Sequence, residues 1–552
     1  MTTLVLGPIL RHTDANSATI WLQTDAACEV EILGTRERTW CIAGSHFALV
    51  TVMGLVPGQE HPYEVRIGGD LVWPVADSEF PASTIRLPEE GGPLSIAFGS
   101  CRVTRPHEPP DVLRAHQHPR GQGIDALRAY ALRAARDGRG ALADMLLMLG
   151  DQIYADQPSP ALRKLIDSRE RPGETPDHVL ADFPEYALAY REAWSEPAIR
   201  WLLSTIPTTM IFDDHEIQAE WRISKGWMDE MNAEPWFDSH ICAGLMAYWV
   251  FQHIGNLSPQ ELAESDLYKA VRSSADGTRA LAEPMDEAGR QSGHSRWSFA
   301  RQIGDARLVV IDSRAGRDVT PGRRVMVRDE EWRWIAGQAR EPARHLLLAS
   351  SVPFLLAPGL HHVEAWDEAI SDGAWGRVMK RVGERLRRLA VMDHWASFGR
   401  SLRDLCDLVD DVAHGRQGEA PATIVMLSGD VHHCYLAEVG FRAGSGAASS
   451  TWQVVCSAFR KELAPHEKTA LKLGHTRLAP RLGRWLARSA GVNPLPLDWR
   501  VVERPDYANQ IGTLTLDGDD AKIRIEAVVD GEWREPRLRT AMARTLTPAR
   551  QR

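Results

Sequence analysis

The stretch ATIVMLSGDVHH, residues 422–433, is an apolar run that ends in a carboxylate and two imidazole side chains. A nearly continuous apolar run is typical of a strand that is covered on both faces. Ser, Gly and Asp also end strands by forming ordinary turns. However, Asp430, His432 and His433 add oxygen and nitrogen ligands at the strand end, where metals and substrates often bind. The stretch therefore predicts a buried strand and a candidate site at its end.

Six further apolar runs have the same character. They are LSIAFGSC (94–101), DMLLMLGD (144–151), TTMIFDD (208–214), ARLVVID (306–312), HLLLASSVPF (345–354) and TWQVVCSAF (451–459). Because helical segments separate most of these strands, the pattern predicts an α/β domain. Long tryptophan-rich helical segments at 178–204, 216–270 and 372–414 are expected to cover the sheet or to wall a cleft.

The N-terminal region has a different pattern, with short alternating runs between turn residues, and it predicts a small all-β sandwich. Within it, LVPGQEHPY resembles the tyrosine corner of fibronectin type III-like domains, with Tyr63 closing back on the turn at Leu55. Near the other end, a hairpin is expected to turn at Asp517 and Gly518. The predicted domains are 1–88 for the sandwich, 94–535 for the α/β domain and 536–552 for a loosely held basic tail.

The amino-acid composition is typical of a soluble, multidomain globular protein. The chain has 552 residues, of which 44% are hydrophobic and 25% charged, as in a soluble globular protein with more than one domain. A net charge of −10 argues against a stable nucleic-acid partner or an anionic membrane as the main partner. Seven cysteines without a CxxC pair, no export signal and no long apolar span lead us to expect a cytoplasmic protein with free thiols.

Four of the strands end in groups that can bind metals. LSIAFGSC ends in Cys101, and DMLLMLGD ends in Asp151 and is followed by Tyr154. TTMIFDD ends in Asp213 and Asp214 and is followed by His215, and the opening stretch contains Asp430, His432 and His433. Strand ends on one side of a sheet converge in space, so these groups are expected to share one cleft. Thiolate, phenolate, carboxylate and imidazole together suit a transition metal, and carboxylates can bridge to a second, harder cation. The sequence thus predicts a metal cluster.

The blocks GSC, GDQIYAD, DDHE and SGDVHH resemble the four signature blocks of the PhoD-like alkaline phosphatases, within the calcineurin-like metallophosphoesterase superfamily. The resemblance extends to the N-terminal sandwich, to VIDSRAGR (310–317) and, more weakly, to SSVPF and MDHWASF. It implies a metallophosphoesterase-type layered sandwich (αββα) behind the small N-terminal β-sandwich. It also implies metal-dependent hydrolysis of small phosphate monoesters, diesters or both.

The resemblance further implies roles for individual residues. Asp151 would bridge two ions, Fe³⁺ and Ca²⁺ or another divalent ion such as Mn²⁺, Zn²⁺ or Mg²⁺. The Fe³⁺ ligands would be Cys101 and Tyr154, the divalent-ion ligands Asp213 or Asp214 together with Asp430, and His432 would be a further ligand. His215 would act near the leaving group. His433 is additional to the family's ligand histidine and could face the substrate. Arg314 follows another strand end and could hold a phosphate oxygen through its planar guanidinium.

Several alternatives remain open. Cys101 and Tyr154 are also common core residues, His433 could be part of a wall, and Arg314 could pair with Asp312. The basic helical segments 377–388 and 477–488 fit either a solvated amphipathic face or a surface for an anionic partner. A non-catalytic protein that retains the fold and binds metal or phosphate is the alternative to a hydrolase.

One departure from the family pattern concerns the second ion. Family members often follow DDHE with two asparagines and a tryptophan, whereas this chain continues IQAEW. Gln218 or Glu220 would have to replace the missing amide ligands. The sequence also contains no GxGxxG, GxxxxGK[ST] or HExxH motif, which argues against dinucleotide redox, nucleotide-driven and zinc peptidase chemistry.

Overall fold

A computed structural model describes residues 2–89, 91–169, 179–293, 295–441, 446–474, 476 and 478–547. The N-terminal region is all-β, as predicted. Its strands are β1 Leu4–Thr13, β2 Ser17–Thr24, β3 Glu29–Ile32, β4 Thr35–Arg38, β5 Trp40–Ile42, β6 Ser45–Met53, β7 Glu60–Pro62, β8 Val65–Ile67, β9 Asp70–Trp73 and β10 Thr84–Arg86. Two antiparallel four-stranded sheets, ordered β1-β2-β6-β5 and β4-β3-β8-β9, contribute to one core, and β7 pairs with β10.

The remainder of the chain contains two larger sheets. Their strands are β11 Leu94–Gly99, β12 Met145–Leu149, β13 Thr208–Ile211, β14 Phe299–Ile303, β15 Ala306–Ile311, β16 His345–Ser350, β17 Thr423–Ser428, β18 Tyr435–Phe441, β19 Ser450–Val455, β20 Leu497–Val501, β21 Gln510–Asp517, β22 Asp520–Val528 and β23 Leu538–Thr545. The six-stranded sheet has the order β13-β12-β11-β21-β22-β23, and the seven-stranded sheet has the order β14-β15-β16-β17-β19-β18-β20. β11 to β13 are parallel to one another, as are β15, β16, β17 and β19.

Helices surround these sheets. They are α1 Ala126–Asp137, α2 Pro160–Arg169, α3 Phe183–Trp194, α4 Pro197–Thr205, α5 Lys225–Met231, α6 Phe237–Tyr248, α7 Pro259–Glu264, α8 Asp266–Ser273, α9 Thr278–Arg290, α10 Asp329–Ala339, α11 Pro358–Ser371, α12 Gly376–Leu389, α13 Gly399–Ala413, α14 Pro465–Gly474 and α15 Ala479–Ser489. Shorter turns include a 3₁₀ turn, Asp214–Glu216, and a π-helical turn, Trp249–His253. Among the described residues, no helix is both long and apolar enough to span a bilayer.

The two faces of the seven-stranded sheet belong to different cores. Val310 and Leu427 share a core with Phe98 of the six-stranded sheet. Their neighbours Val309 and Met426 pack instead in a core that includes side chains of α10 and α13. Successive residues of a strand point to opposite faces, so both faces must be apolar. This explains the nearly continuous apolar runs of the sequence.

The chain end differs from the prediction. Residues from 536 onward were expected to form a loose tail, but Leu538–Thr545 forms β23, which pairs antiparallel with β22 at the edge of the six-stranded sheet. Met542 is buried, while Arg539 and Arg544 pair with Asp506 and Glu503. Charged side chains are typical of an edge strand, because they discourage pairing with another chain. The hairpin before it, closed by the pair Asp517 and Asp520, agrees with the prediction.

The predicted tyrosine corner is also wrong. The Tyr63 hydroxyl donates a hydrogen bond of 2.6 Å to the carbonyl of Ser204, in the last turn of α4, and makes no bond to the Leu55 turn among the described residues. The last carbonyls of a helix lack partners within the helix, which leaves the Ser204 oxygen available. Tyr63 therefore joins the N-terminal region to the rest of the chain.

Arg11 makes a second connection of this kind. Its buried guanidinium donates to the Phe251 carbonyl at 3.1 Å, to the Gln252 carbonyl and to the Asn256 side chain at 3.2 Å. N-terminal side chains, among them Trp21, also belong to the same core as the strands of both large sheets. The N-terminal region thus shares its interior with the rest of the protein.

Candidate metal centre

The carboxyl ends of the two large sheets meet at two glycines. A Cβ atom on Gly150, after β12, would lie 2.6 Å from the Asp213 Cβ and 3.2 Å from the Ser351 Cβ. A Cβ atom on Gly429, after β17, would lie 2.1 Å from the Ser100 Oγ. Only glycine permits such a close approach of two segments of the chain. The two glycines therefore allow the predicted ligand loops to converge on one place.

Four of the predicted ligands have an unusual backbone conformation. The φ angles are 56° at Cys101, 55° at Asp151, 64° at Asp430 and 51° at His432. Residues other than glycine rarely adopt the left-handed region, and those that do are concentrated at functional sites. Each of these residues follows a strand, so the left-handed turn ends the extended path and redirects the side chain.

The structure brings ligand atoms together in two groups that share one residue. Cys101, Asp151 and His432 form one group, and Asp151, Asp214 and His215 form the other. Within each group, among the described residues, the candidate ligand atoms all lie within 4.8 Å of one another. Asp151 thus lies where a bridging carboxylate would lie. The side chains of Asp213 and Asp430 belong to neither group in the described part of the chain.

Two buried carboxylates at this place each have one oxygen without a partner among the described residues. The Oδ1 atom of Asp151 and the Oδ2 atom of Asp213 are buried and have no hydrogen-bond partner among the described residues. Burial raises the pKa of both carboxyl groups, that of Asp213 to about 8 despite the opposing charge of Arg314. Buried carboxylates are normally paired or bound to a metal. The donor set and the orphaned oxygens therefore fit the metal ions implied by the resemblance.

Tyr154 is next to the bridging position. Its hydroxyl lies 3.2 Å from the Asp151 Oδ2 atom, and its ring packs against the His215 ring with centroids 4.5 Å apart. The ammonium group of Lys461, a residue not predicted from the sequence, lies 4.6 Å from the centre of the Tyr154 ring. Burial, followed by the charge of Asp151, raises the pKa of Tyr154. A bound cation reverses this preference and favours the phenolate.

His215 is oriented by a carboxylate that the sequence analysis did not assign. Its Nδ1 atom lies 2.9 Å from both oxygens of Asp156, the last residue of the quoted block GDQIYAD. Burial alone would lower the pKa of His215, but the charges of Asp156, Asp151 and Asp214 outweigh it and raise the pKa to about 10. The side chain is partly exposed.

Arg314 does not face an open cleft. The side chain is 1% exposed, and its guanidinium pairs with Asp213 and Asp393 and lies 3.4 Å from an Asp214 oxygen. Asp312, the partner considered in the sequence analysis, accepts a hydrogen bond from the Arg314 backbone instead. Because the guanidinium is surrounded by carboxylates, a phosphate-binding role for Arg314 does not fit this geometry.

The two histidines of SGDVHH have different environments. His432 is partly exposed beside Cys101 and Asp151, and burial followed by the charge of Lys461 lowers its pKa to about 3, so its ring is neutral as a ligand requires. His433 is 1% exposed and stacks between Tyr435 and Tyr507, with ring centroids 5.4 and 5.5 Å away. This placement favours the wall interpretation of His433 over contact with substrate.

Asp430 contacts a histidine that was not among the candidates. The Nε2 atom of His394 lies 3.2 Å from the Asp430 Oδ2 atom, as an ion-pair contact without hydrogen-bond alignment. The Nδ1 atom of His394 lies 2.7 Å from the Glu364 Oε1 atom. Opposing the effect of burial, these carboxylates raise the pKa of His394. The segment MDHWASF, noted for its resemblance, contains both this histidine and the Asp393 partner of Arg314.

Glu216 holds the two ligand loops in register. Its carboxylate accepts hydrogen bonds from the backbone N–H groups of Asp151 and Asp213, both at 2.9 Å, and of Gln152 at 2.7 Å. The side-chain amide of Gln252 donates a fourth at 3.0 Å. Burial raises the pKa of Glu216 to about 7. The block DDHE contains Glu216 and its Asp213 partner, but the other three donors lie 36 to 65 residues away in the sequence.

The residues after DDHE lie at the edge of the second ligand group. The backbone N–H of Glu220 donates to the Asp214 Oδ2 atom at 2.7 Å, and φ at Glu220 is 64°. The Gln218 Oε1 atom is buried without a hydrogen-bond partner among the described residues. Replacement of the missing asparagines by one of these two residues stays a prediction.

Comparisons with known protein families and solved structures match most of the chain. The PhoD-like phosphatase family matches residues 121–482, and a domain of unknown function, DUF7800, matches residues 1–85. The chain is similar to a structure described as the structure of PhoD, with 14% sequence identity, a TM-score of 0.59 and coverage of 99% of this chain and 90% of that chain. It is also similar to purple acid phosphatase PPD1 from yellow lupin (Lupinus luteus) seeds, with 11% identity and a TM-score of 0.46. That match covers 98% of this chain and 74% of the lupin chain.

None of the curated protein sequences matches the chain. The likeness to PhoD, at its low identity, indicates a shared mixed α/β fold. The family match is the stronger finding, because it spans more than half of the chain and includes Asp151, His215 and Asp430. The chain belongs to the PhoD-like phosphatase family.

Proposed function

We propose that this protein hydrolyses phosphate esters, monoesters or diesters, by activating water at a centre of two metal ions. The observation that carries the proposal is the position of Asp151, which belongs to both groups of ligand atoms. A single structural ion would need only one such group. Two groups joined by a carboxylate are the arrangement that a pair of ions requires.

The two groups differ in the ions that they suit. We propose Fe³⁺ against Cys101, Asp151 and His432, with the Tyr154 phenolate as a further donor. Ca²⁺, or Mn²⁺, Zn²⁺ or Mg²⁺, would lie against Asp151 and Asp214, whose oxygen atoms suit harder divalent cations. When bound, such ions supply a hydroxide nucleophile at neutral pH and positive charge for the phosphate oxygens.

The protein side chains then position the substrate and move a proton. His215, Asp430 and His432 are the partly exposed members of the site, so the ester is expected to approach from their side. Asp156 holds the Nδ1 atom of His215 at 2.9 Å, which leaves Nε2 to donate a proton to the departing alkoxide. His215 also belongs to the second ligand group, and a role as ligand is the competing possibility.

We also propose a domain division and a layer order. Residues 1–88 would form the N-terminal sandwich, and the catalytic domain would run from 94 to the end of β23 rather than to 535. A four-layered αββα order is supported by the core shared between the two large sheets and by the helices α10 and α13 on the far face of the seven-stranded sheet.

Metal analysis and a substrate panel on one preparation test the proposal. The full-length protein should contain iron and a second metal and should hydrolyse p-nitrophenyl phosphate, bis(p-nitrophenyl) phosphate or both. Absence of bound metal would contradict the centre itself. Full metal occupancy without hydrolysis of any ester in a broad panel would instead support the non-catalytic alternative.

A further inference from the structure

A cavity of ≈ 240 Å³ lies beside α11, α15 and β20, apart from the metal centre. Its walls contain none of the ten site residues predicted from the sequence, as far as the described ranges show. Small-molecule sites in proteins are typically concave and largely apolar, with a few polar groups that fix orientation. The composition of this cavity has that character.

One polar group in the wall is His361 of α11. Its side chain is 1% exposed, and neither ring nitrogen has a hydrogen-bond partner among the described residues. The ring instead packs edge-on against Trp499, with centroids 4.5 Å apart. Burial, followed by the charges of His362 and His394, lowers the pKa of His361, so the imidazole is neutral and can donate and accept. A buried histidine without partners is rare and calls for an explanation such as a ligand.

The rest of the wall divides into an apolar part and a charged rim. Trp499, Leu402, Leu495 and Leu497 supply apolar surface. The rim carries three guanidinium groups, from Arg403, Arg484 and Arg488, against two carboxylates, from Glu368 and Asp498. Glu368 already accepts a hydrogen bond from the Gly399 N–H at 2.9 Å. Arginine is the side chain best suited to bind a carboxylate or phosphate through two parallel hydrogen bonds.

We propose that this cavity binds a small organic anion, with its apolar body against Trp499, its charged group at Arg484 and Arg488, and a polar contact to His361. Binding in this cavity does not depend on the reaction at the metal centre.

Fluorescence titration with 1-anilinonaphthalene-8-sulfonate, an aromatic anion, tests the site in the full-length protein. Saturable binding to one site is expected. His361→Phe, which removes a hydrogen bond, and the double variant Arg484→Gln with Arg488→Gln, which removes the contacts to the charged group, should each raise Kd about tenfold. Arg481→Gln is the matched control, because Arg481 is exposed on the same helix and does not line the cavity. Trp485→Ala is a second control for probe bound to the exposed apolar face of α15.

Competition then separates the two halves of the proposed ligand. Octanoate should displace the probe, whereas octanol, which lacks the charge, and inorganic phosphate, which lacks the apolar body, should be at least about tenfold weaker. Equal displacement by octanol or by phosphate would overturn the proposal, as would unchanged affinity in both cavity variants. Thermal melting verifies folding, and if His361→Phe fails to fold, the exposed arginine pair still decides the outcome.

Discussion

The two ligand groups around Asp151 are built in different ways. In the first group, Cys101, Asp151 and His432 all have left-handed backbone and follow strands of the two large sheets. In the second, Asp214 and His215 belong to a 3₁₀ turn. The first geometry is fixed by rigid strands. The second depends on a hydrogen bond that Asp156 accepts from His215 and on one that the Glu220 backbone N–H donates. We therefore expect a tightly held ion in the first group and a more exchangeable ion in the second.

Asp151→Asn should have the largest effect, because it removes the charge shared by both groups while preserving the shape of the side chain. We expect loss of both metals and a rate at least about a thousandfold lower, the equivalent of several kcal/mol of lost stabilisation. Metal content by mass spectrometry and turnover of p-nitrophenyl phosphate measure this. A variant with normal metal content and full activity would show that Asp151 does not bridge.

Removal of the exchangeable ion separates the two groups. Dialysis of the holoenzyme against EGTA should abolish activity while iron stays bound to thiolate, phenolate and carboxylate donors. Added Ca²⁺ or another divalent ion should restore the rate. The difference between the groups would be refuted if iron left first or if long dialysis left the rate unchanged.

His215→Ala tests the proton role within the second group. The rate on an alkyl phosphate should fall about a hundredfold, and less than about tenfold on p-nitrophenyl phosphate, whose leaving group hardly needs protonation. Metal content should not change. His414→Ala, at a partly buried histidine outside both ligand groups, is the control. Equal losses on both esters together with lost metal would identify His215 as a ligand.

Glu216→Gln tests whether hydrogen bonds to the loops set metal affinity. Glutamine has one acceptor oxygen, and its NH₂ group would face backbone N–H donors that the carboxylate now accepts. Metal affinity should fall about 10-fold to 100-fold, with the rate recovering at saturating metal. Glu331→Gln is the matched control, since Glu331 is another buried acid, whose pKa burial raises to about 7. A lower melting temperature with unchanged metal affinity would indicate a purely structural role.

Glu220→Gln should have the smallest effect. If Glu220 supplies the oxygen that replaces the missing asparagines, the concentration of divalent ion for half-maximal activity should rise about threefold, because affinity follows the charge of the ligands. Gln218→Ala makes the same comparison at the other candidate. An unchanged concentration in both variants would place both side chains outside the ligand set.

The sequence predicted those parts of the site that depend on local pattern. Apolar runs ending in Cys101 and Asp151 were sufficient to predict that these residues lie close together, because a strand end determines where such residues lie. The contacts of Arg314 could not be predicted, because its carboxylate partners, Asp213 and Asp393, lie 101 and 79 residues away in the sequence. The role of Glu216 could not be predicted either, since it accepts a hydrogen bond from the backbone N–H of Asp151, 65 residues away. The hydrogen bond of Tyr63 was predicted wrongly for the same reason, because its acceptor lies 141 residues away in the sequence.

The buried Arg11 has a consequence for how the chain unfolds. Its guanidinium holds the Gln252 carbonyl, and the amide of the same Gln252 contacts Glu216. Loss of the N-terminal region would remove the Arg11 donor from the Phe251 and Gln252 carbonyls and would expose the core that includes Trp21. Unpaired buried groups and exposed apolar surface both destabilise the native state. The N-terminal region and the metal centre are therefore expected to melt in a single cooperative transition, and a truncated catalytic domain is expected to be unstable.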